Sequence, residues 1–264
     1  MTEIRYVDIG LNLFGPRFPD PALVLDRAEA AGVLCILTGT DMDENARIAG
    51  FLPGRRTWGT CGIHPHASER VEESDYREML RILREEKGIV AVGECGLDYE
   101  HRYAPVDCQA RSLERQLELA EETEKPLFLH ERGAAADLAA VLKRHPSLPK
   151  RSVVHCFTGN RKEMDSFLDM GMMIGITGWI CDERRNHDLL EAVKYLPSDR
   201  VMLETDAPYL LPRGIPGLDR TNRPEYIQYV CRALAEAMDM ETETLRKQAL
   251  RNTEQFFRLE ERGG

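Results

Sequence analysis

Eight short runs of apolar and β-branched residues alternate along the chain with longer segments of helical periodicity. The predicted strands are Arg5–Ile9, Val33–Thr38, Thr57–Cys61, Ile89–Glu94, Leu127–His130, Ser152–His155, Met172–Ile176 and Val201–Glu204. Strands that alternate with helices pair in parallel, because each helical crossover returns the chain to the same end of the sheet. The pattern therefore predicts an α/β fold, which is either a closed (β/α)8 barrel or an open doubly wound sheet.

Polar residues at the ends of these strands favour the barrel. Nearly every predicted strand runs directly into His, Glu, Asp or Thr at its C-terminal end. In a barrel all eight C-terminal ends converge on one mouth, whereas in an open sheet only two or three meet at the switch point. A barrel needs about 250 residues, and the chain has 264. We therefore predict a TIM barrel that forms a single domain over residues 1–264.

Two helical segments complete the predicted architecture. The segment Asp107–Glu124 places Leu113, Leu117 and Ala120 at spacings of four and three, so these side chains share one face of a helix. The segment Glu241–Leu259 is amphipathic and follows the eighth strand. It is predicted to be an extra C-terminal helix that closes the chain.

Four strand-end residues carry side chains that bind divalent metal ions. Glu94, His130, His155 and Asp206 end or follow four different predicted strands. Together they offer two imidazole nitrogens and two carboxylates, a donor set that borderline divalent cations accept. A single histidine at a strand end is often only a packing residue, but packing does not explain four such residues on separate strands. We predict that they form a metal centre at the barrel mouth.

Composition narrows the class of protein. The net charge of −10 argues against a protein that coats nucleic acid electrostatically, but it leaves open an enzyme that acts on a chain end or a short strand. Seven cysteines without a C-x-x-C pair argue against a disulfide framework and a structural zinc site. The N-terminal segment lacks the features of a secretory signal, and no apolar run approaches the roughly 20 residues that cross a bilayer. We expect a cytoplasmic, monomeric enzyme without a membrane partner.

Three longer motifs resemble those of a known family. They are Gly93-Glu-Cys-Gly-Leu-Asp98, His155-Cys-Phe-Thr-Gly159 and Glu204-Thr-Asp-Ala-Pro-Tyr-Leu-Leu-Pro212. In this order, across essentially the whole chain, they are similar to the signatures of TatD-like deoxyribonucleases. The resemblance implies a TIM barrel of the amidohydrolase-like superfamily that hydrolyses DNA from 3′ to 5′, preferably in single strands. It also implies a divalent metal, Mg²⁺ before Mn²⁺ or Zn²⁺, held at Glu94, His130, His155 and Asp206.

One departure from the family pattern concerns the end of the first strand. Many members carry Asp-x-His-x-His there, whereas this chain has Asp8-Ile-Gly10-Leu-Asn12 and resembles the branch that contains the protein that names the family. Gly10 has no side chain, and the amide of Asn12 is a weak neutral ligand. We therefore predict one well-formed metal site and a conditional second site. Three alternatives stay open for that second position: it is empty, it is held weakly by Asp8 and Glu94, or it is filled only when substrate phosphate supplies oxygens.

Phosphodiester chemistry suggests the catalytic roles. A phosphodiester repels nucleophiles because its oxygens are already negative, so metal ions must neutralise them and activate water. Glu94 is predicted to bridge two ions, and Asp206 is predicted to ligate metal and accept the proton of the attacking water. His64, in a His-Pro-His turn after the third strand, is predicted to orient phosphate or to protonate the leaving oxygen.

Three further residues are predicted to contact substrate. His66 lies in the same turn as His64, Arg132 could clamp a phosphate bidentately, and Trp179 could stack on a base. Each of the three also has a purely structural interpretation. These are a rigid turn for His66, a salt bridge for Arg132 and packing at the barrel rim for Trp179.

Two other functions remain open at this point. A metal-dependent amide or ester hydrolase on the same scaffold would use similar ligands, although many such enzymes have a carboxylated lysine where this chain has Glu94. A vestigial barrel that serves as an interaction protein is the second alternative, because the strand-one histidines are missing. The remaining metal-competent residues favour an enzyme over a vestigial barrel, and the family resemblance implies that its substrate is a DNA single strand or chain end.

Overall fold

A computed structural model describes residues 3–259 of the chain. In it, eight strands form a single parallel sheet in which each strand pairs with the next one along the sequence. The strands are β1 Tyr6–Leu11, β2 Val33–Leu37, β3 Trp58–Cys61, β4 Ile89–Asp98, β5 Leu127–Arg132, β6 Ser152–Val154, β7 Met173–Ile176 and β8 Val201–Leu203. All eight predicted strands are therefore present, with shifts of a few residues at their ends.

Helices occupy the connections between the strands. The α-helices are α1 Pro21–Ala30, α2 Met42–Phe51, α3 Glu73–Glu85, α4 Val106–Thr123, α5 Ala135–Lys143, α6 Arg161–Leu168, α7 His187–Val193, α8 Ile227–Ala237 and α9 Thr242–Phe257. Short 3₁₀ helices lie at Pro65–Arg70, Pro149–Arg151, Gly178–Cys181, Ser198–Arg200 and Pro224–Tyr226. The predicted apolar face of α4 is buried. Within residues 3–259, every helix is too short or too polar to cross a lipid bilayer.

The first and last strands meet, which closes the sheet. Leu11 and Ala207 form a parallel bridge, and the backbone N–H of Asn12 donates to the Ala207 carbonyl at 2.8 Å. Deeper in the seam, the Asp8 carboxylate accepts hydrogen bonds from the backbone N–H and the hydroxyl of Thr205. The closure confirms the predicted (β/α)8 barrel over the open sheet.

The hydrophobic core has two layers, as a closed barrel requires. One layer fills the space between the strands and the surrounding helices, and the other fills the barrel with side chains such as Ile9, Ile36, Phe128 and Met202. Phe257 of α9 joins the interior layer next to residues near the starts of the strands, and it is only 3% exposed. Such burial contributes about 1.5–3 kcal/mol. The predicted C-terminal helix thus covers the N-terminal end of the barrel and leaves the opposite mouth open.

The pair β4–β5 extends further toward the mouth than the sequence predicted. Gly96, Leu97 and Asp98 of β4 pair with the stretch from His130 to Arg132 in β5, after a register shift between Val92 and Cys95. Glu94 and His130 therefore lie within their strands and not at the strand ends. Both side chains still line the cleft at the mouth of the barrel. The last residues of β4 and β5 continue beyond them as a pair of strands.

Candidate active site

The C-terminal ends of the strands surround an open cleft of about 1170 Å³. The four predicted metal ligands and the predicted catalytic histidine all line it: Glu94, His130, His155, Asp206 and His64. Its walls include Phe14, Arg17, Tyr103, Arg132 and Tyr209. The barrel thus brings together side chains that lie far apart in the sequence.

The Glu94 carboxylate is the centre of this group. Its Oε1 atom lies 2.8 Å from His130 Nδ1, 3.0 Å from His155 Nε2 and 3.4 Å from His64 Nε2. Only 5% of Glu94 is exposed. The preceding Gly93 has φ of 139°, and a Cβ atom there would lie 2.2 Å from the Phe128 carbonyl oxygen. Glycine is therefore needed where β4 approaches β5 and turns Glu94 toward the histidines.

The group is arranged to attract positive charge. Burial by itself would raise the pKa of Glu94, but the surrounding imidazoles, above all His155 and His64, hold that pKa well below its usual range. Burial lowers the pKa of His155, yet the carboxylates of Glu204 and Glu94 raise it well above its usual range. Burial lowers the pKa of His64, which favours its neutral form. A buried anion surrounded by imidazoles is a suitable environment for a cation.

Asp98 and His101 lie beside the Glu94 group and were not predicted as site residues from the sequence. Asp98 Oδ2 lies 2.8 Å from His66 Nε2, 3.2 Å from His130 Nε2 and 3.4 Å from His101 Nδ1. Asp98 therefore orients the ring that approaches Glu94, as a carboxylate behind a metal-binding histidine does. The Asp-x-x-His spacing after the glycine-rich motif was the available sequence signal.

Two groups of residues have ligand atoms within 4.8 Å of one another among residues 3–259. The first is His64, Glu94 and His130, and the second is His66, Asp98 and His101. His155 contacts the first group through Glu94. Asp8, the predicted weak ligand, is in neither group. Its oxygens accept hydrogen bonds from Thr205 and from the Gly10 backbone, and burial raises its pKa to about 8.

Asp206 lies just beyond β8 with a left-handed backbone at φ of 53°. The Asn12 side-chain amide donates to its Oδ1 atom at 2.8 Å. Burial raises the pKa of Asp206 to about 7, although His155 acts in the opposite direction. Asn12, which the sequence suggested only as a weak ligand, thus holds one oxygen of Asp206 in place.

Glu204 explains how the chain accommodates the missing strand-one histidines. Its side chain is fully buried, and its carboxylate accepts from His155 Nδ1 at 2.9 Å and from the backbone N–H of Cys156. A Cβ atom on Gly10 would lie only 2.6 Å from Glu204 Oε2. The space beside Gly10 is therefore filled by a carboxylate that directly follows β8 and that sequence reasoning did not select.

We expect Gly10→Ala to destabilise the protein by about 1–3 kcal/mol, as overpacking of a filled interior typically does. The added methyl must displace the Glu204 carboxylate, which is itself held by His155. The measurement is the free energy of unfolding in urea. Gly15→Ala is the matched control, because a Cβ atom at Gly15 meets no atom within 4 Å. Equal losses of stability in the two variants would show that the space beside Gly10 is not filled.

Arg132 and Trp179 form a connected pair at the rim. Arg132 donates to the Thr158 hydroxyl at 2.6 Å and to the Glu100 carboxylate at 2.8 Å, and its guanidinium lies 5.0 Å from the centre of the Trp179 ring. A second guanidinium, from Arg185, lies 3.7 Å from the same ring centre. Two guanidinium groups thus already contact the Trp179 ring, and Arg132 lines the cleft.

Comparison with known proteins identifies the family. A family model described as TatD related DNase matches residues 7–258. The chain belongs to the TatD-related DNase family. A relative from Pantoea sp. (strain At-9b), named 3′-5′ ssDNA/RNA exonuclease TatD, is 42% identical over 261 residues, which cover 96% of this chain and 99% of the relative. A relative of the same name from Klebsiella pneumoniae (strain 342) is 39% identical over 263 residues, covering 97% and 99%.

A solved structure supports the same assignment. The crystal structure of YJJV, a TatD homologue from Escherichia coli K12, is 31% identical and has a TM-score of 0.89. The match covers 97% of this chain and 99% of that one. The predicted resemblance is thus confirmed. This TatD-family barrel is a hydrolase of phosphodiester bonds with a nucleic acid as its substrate, and it carries His, Asp and Glu groups able to hold a metal.

Proposed function

We propose that this TatD-family protein is a metal-dependent exonuclease that removes nucleotides from the 3′ end of single-stranded DNA or RNA. The observation that carries the proposal is the Glu94 carboxylate, which three imidazoles contact at the base of an open cleft beside Asp206. The polarity and the preference for single strands are supported by relatives that are named 3′-5′ ssDNA/RNA exonuclease.

The residues present suit a divalent cation. We assign Glu94, His130, His155 and Asp206 to hold it, because their imidazoles and carboxylates form a donor set that such ions accept. Mg²⁺ is the ion that the family resemblance implies, and the imidazole nitrogens also suit Mn²⁺ and Zn²⁺. When bound, the cation would neutralise the negative charge of the phosphate and lower the pKa of water.

Two side chains are assigned roles besides metal binding: Asp206 accepts a proton and His64 orients the phosphate. One oxygen of Asp206 is held by Asn12, which leaves the other to accept the proton of the attacking water. His64 Nδ1 already accepts the backbone N–H of His66 at 3.1 Å, so Nε2 is the nitrogen that can donate to a phosphate oxygen. We therefore assign His64 to phosphate orientation.

The cleft walls offer contacts for a single strand. Arg17 and Arg132 line the cleft and supply positive charge for phosphates despite the overall charge of −10. The side chains of Tyr103 and Tyr209 are 71% and 52% exposed, so unpaired bases could stack on them. Bases within a duplex are already stacked and cannot use such faces, which supports a preference for single strands.

The test is digestion of single-stranded oligonucleotides labelled at one end. With Mg²⁺, a 5′-labelled strand should shorten progressively, whereas a 3′ label should be released at once as a mononucleotide. A chelator should stop both reactions, and excess Mg²⁺ should restore them. An oligonucleotide that stays intact while a cyclic amide is cleaved would overturn the nuclease proposal and favour an amidohydrolase. We also propose a monomeric, cytoplasmic enzyme, to be checked by light scattering and cell fractionation.

A further inference from the structure

We propose that His66, Asp98 and His101 form a separate binding site for a borderline transition-metal ion such as Zn²⁺. His66 Nε2, Asp98 Oδ2 and His101 Nδ1 lie within 4.8 Å of one another. Two imidazoles and a carboxylate are a donor set that suits Zn²⁺ better than Mg²⁺. The two groups share no residue, although Asp98 Oδ2 also lies 3.2 Å from His130 Nε2 of the Glu94 group. Metal binding by His66, Asp98 and His101 can be measured without nuclease activity.

The carboxylate of this site is held rigidly. Asp98 is the last residue of β4 and is 1% exposed. Its Oδ1 atom accepts the backbone N–H groups of Glu100 and His101 at 3.0 and 2.7 Å. Its own backbone N–H donates to Gln109 Oε1 of α4 at 2.8 Å. These bonds fix the carboxyl group and leave Oδ2 as the atom that faces the imidazoles, which reduces the cost of ordering a ligand on binding.

The two histidines reach Asp98 from different segments and leave the site open to solvent. His66 lies in the 3₁₀ helix after β3, and His101 lies in the loop after β4. Their side chains are 32% and 52% exposed, so an ion can enter. The exposed ring of Tyr103 lies beside them, with its centre 4.7 Å from that of His66 and 6.4 Å from that of His101. Because His66 and Tyr103 also line the cleft, a bound ion would lie at its edge.

The group of His66, Asp98 and His101 lies apart from the end of strand one, where this chain lacks the histidines that many family members have. Many members of the family have histidines where this chain has Gly10 and Asn12, and Glu204 fills the space beside Gly10. The His66, Asp98 and His101 group lies instead on the side formed by β3 and β4. A second cation in this chain would therefore bind on a different side of the Glu94 group from the strand-one position that those members use.

The test is titration of the metal-free protein with Zn²⁺ by calorimetry, without substrate. The wild-type chain should bind two equivalents. His101→Ala should weaken one of them at least tenfold, and Glu94→Gln should weaken the other while the first persists. His187→Ala is the matched control, because His187 is an exposed histidine of α7 outside both groups. It should retain both equivalents.

A single equivalent in the wild-type chain, or two equivalents with unchanged affinity in His101→Ala, would overturn the proposal. A second measurement avoids reliance on variants that fold poorly. Crystals of the wild-type protein soaked in Zn²⁺ should show an anomalous difference peak about 2.0–2.2 Å from the three ligand atoms. A peak at the Glu94 group alone would mean that His66, Asp98 and His101 form a hydrogen-bond network and not a metal site.

Discussion

Glu94→Gln is expected to reduce hydrolysis of single-stranded DNA by about 10³-fold. Removing a residue that holds a metal ligand in place typically lowers metal affinity or activity by about 10–100-fold. The loss should be larger for Glu94, because three imidazoles contact its carboxylate directly. Glutamine has the same shape but no charge, so it removes the anion at the centre of the site. The barrel should remain folded, since His155 keeps Glu204 as a partner on its other nitrogen.

The measurement is the initial rate of nucleotide release, with circular dichroism and thermal unfolding as checks on the fold. Glu86→Gln is the matched control, because Glu86 precedes β4 at the opposite end of the barrel. It should retain wild-type activity. A folded Glu94→Gln variant within tenfold of the wild-type rate would exclude Glu94 as the centre of the site.

Asp206→Asn is expected to reduce kcat by about 10²–10⁴-fold, the usual contribution of a positioned general base. The amide cannot accept the proton of the attacking water, and it can no longer act as an anionic ligand. Substrate contacts on the cleft walls should be preserved, because Arg17 and Tyr209 remain in place. We therefore expect kcat to fall far more than KM changes.

Steady-state kinetics on a labelled single strand at saturating Mg²⁺ would measure this split between kcat and KM. Asp199→Asn provides the control, since Asp199 is an exposed aspartate just before the start of the same strand, β8. A rise in KM with unchanged kcat would assign Asp206 to substrate binding and would require another proton acceptor.

Much of the fold was predictable because it depends on local periodicity. Alternating strand and helix patterns with polar residues at strand ends predicted the barrel, and the structure confirms it. The strand boundaries were less accurate at β4, which continues to Asp98 because its last residues pair with β5. Pairing between strands stabilises such an extension, and the residue pattern of one strand does not reveal it.

The convergence of the candidate ligands was also determined by the sequence alone. Glu94, His130, His155 and Asp206 lie near the C-terminal ends of parallel strands, and a closed barrel directs all such ends to one mouth. Their presence in one cleft follows from that geometry. The motifs around three of them were long enough to indicate the family that the comparisons establish.

The tertiary structure alone decided which side chains touch within the mouth. Glu204 fills the space beside Gly10 and contacts His155, which lies 49 residues earlier in the chain. Asp98 contacts His66, 32 residues earlier, and His101 completes that group. Asp8 closes the seam between β1 and β8 through Thr205. Periodicity specifies the face of a strand to which a residue points, but contacts across the barrel depend on register, side-chain length and the space that neighbouring residues leave free.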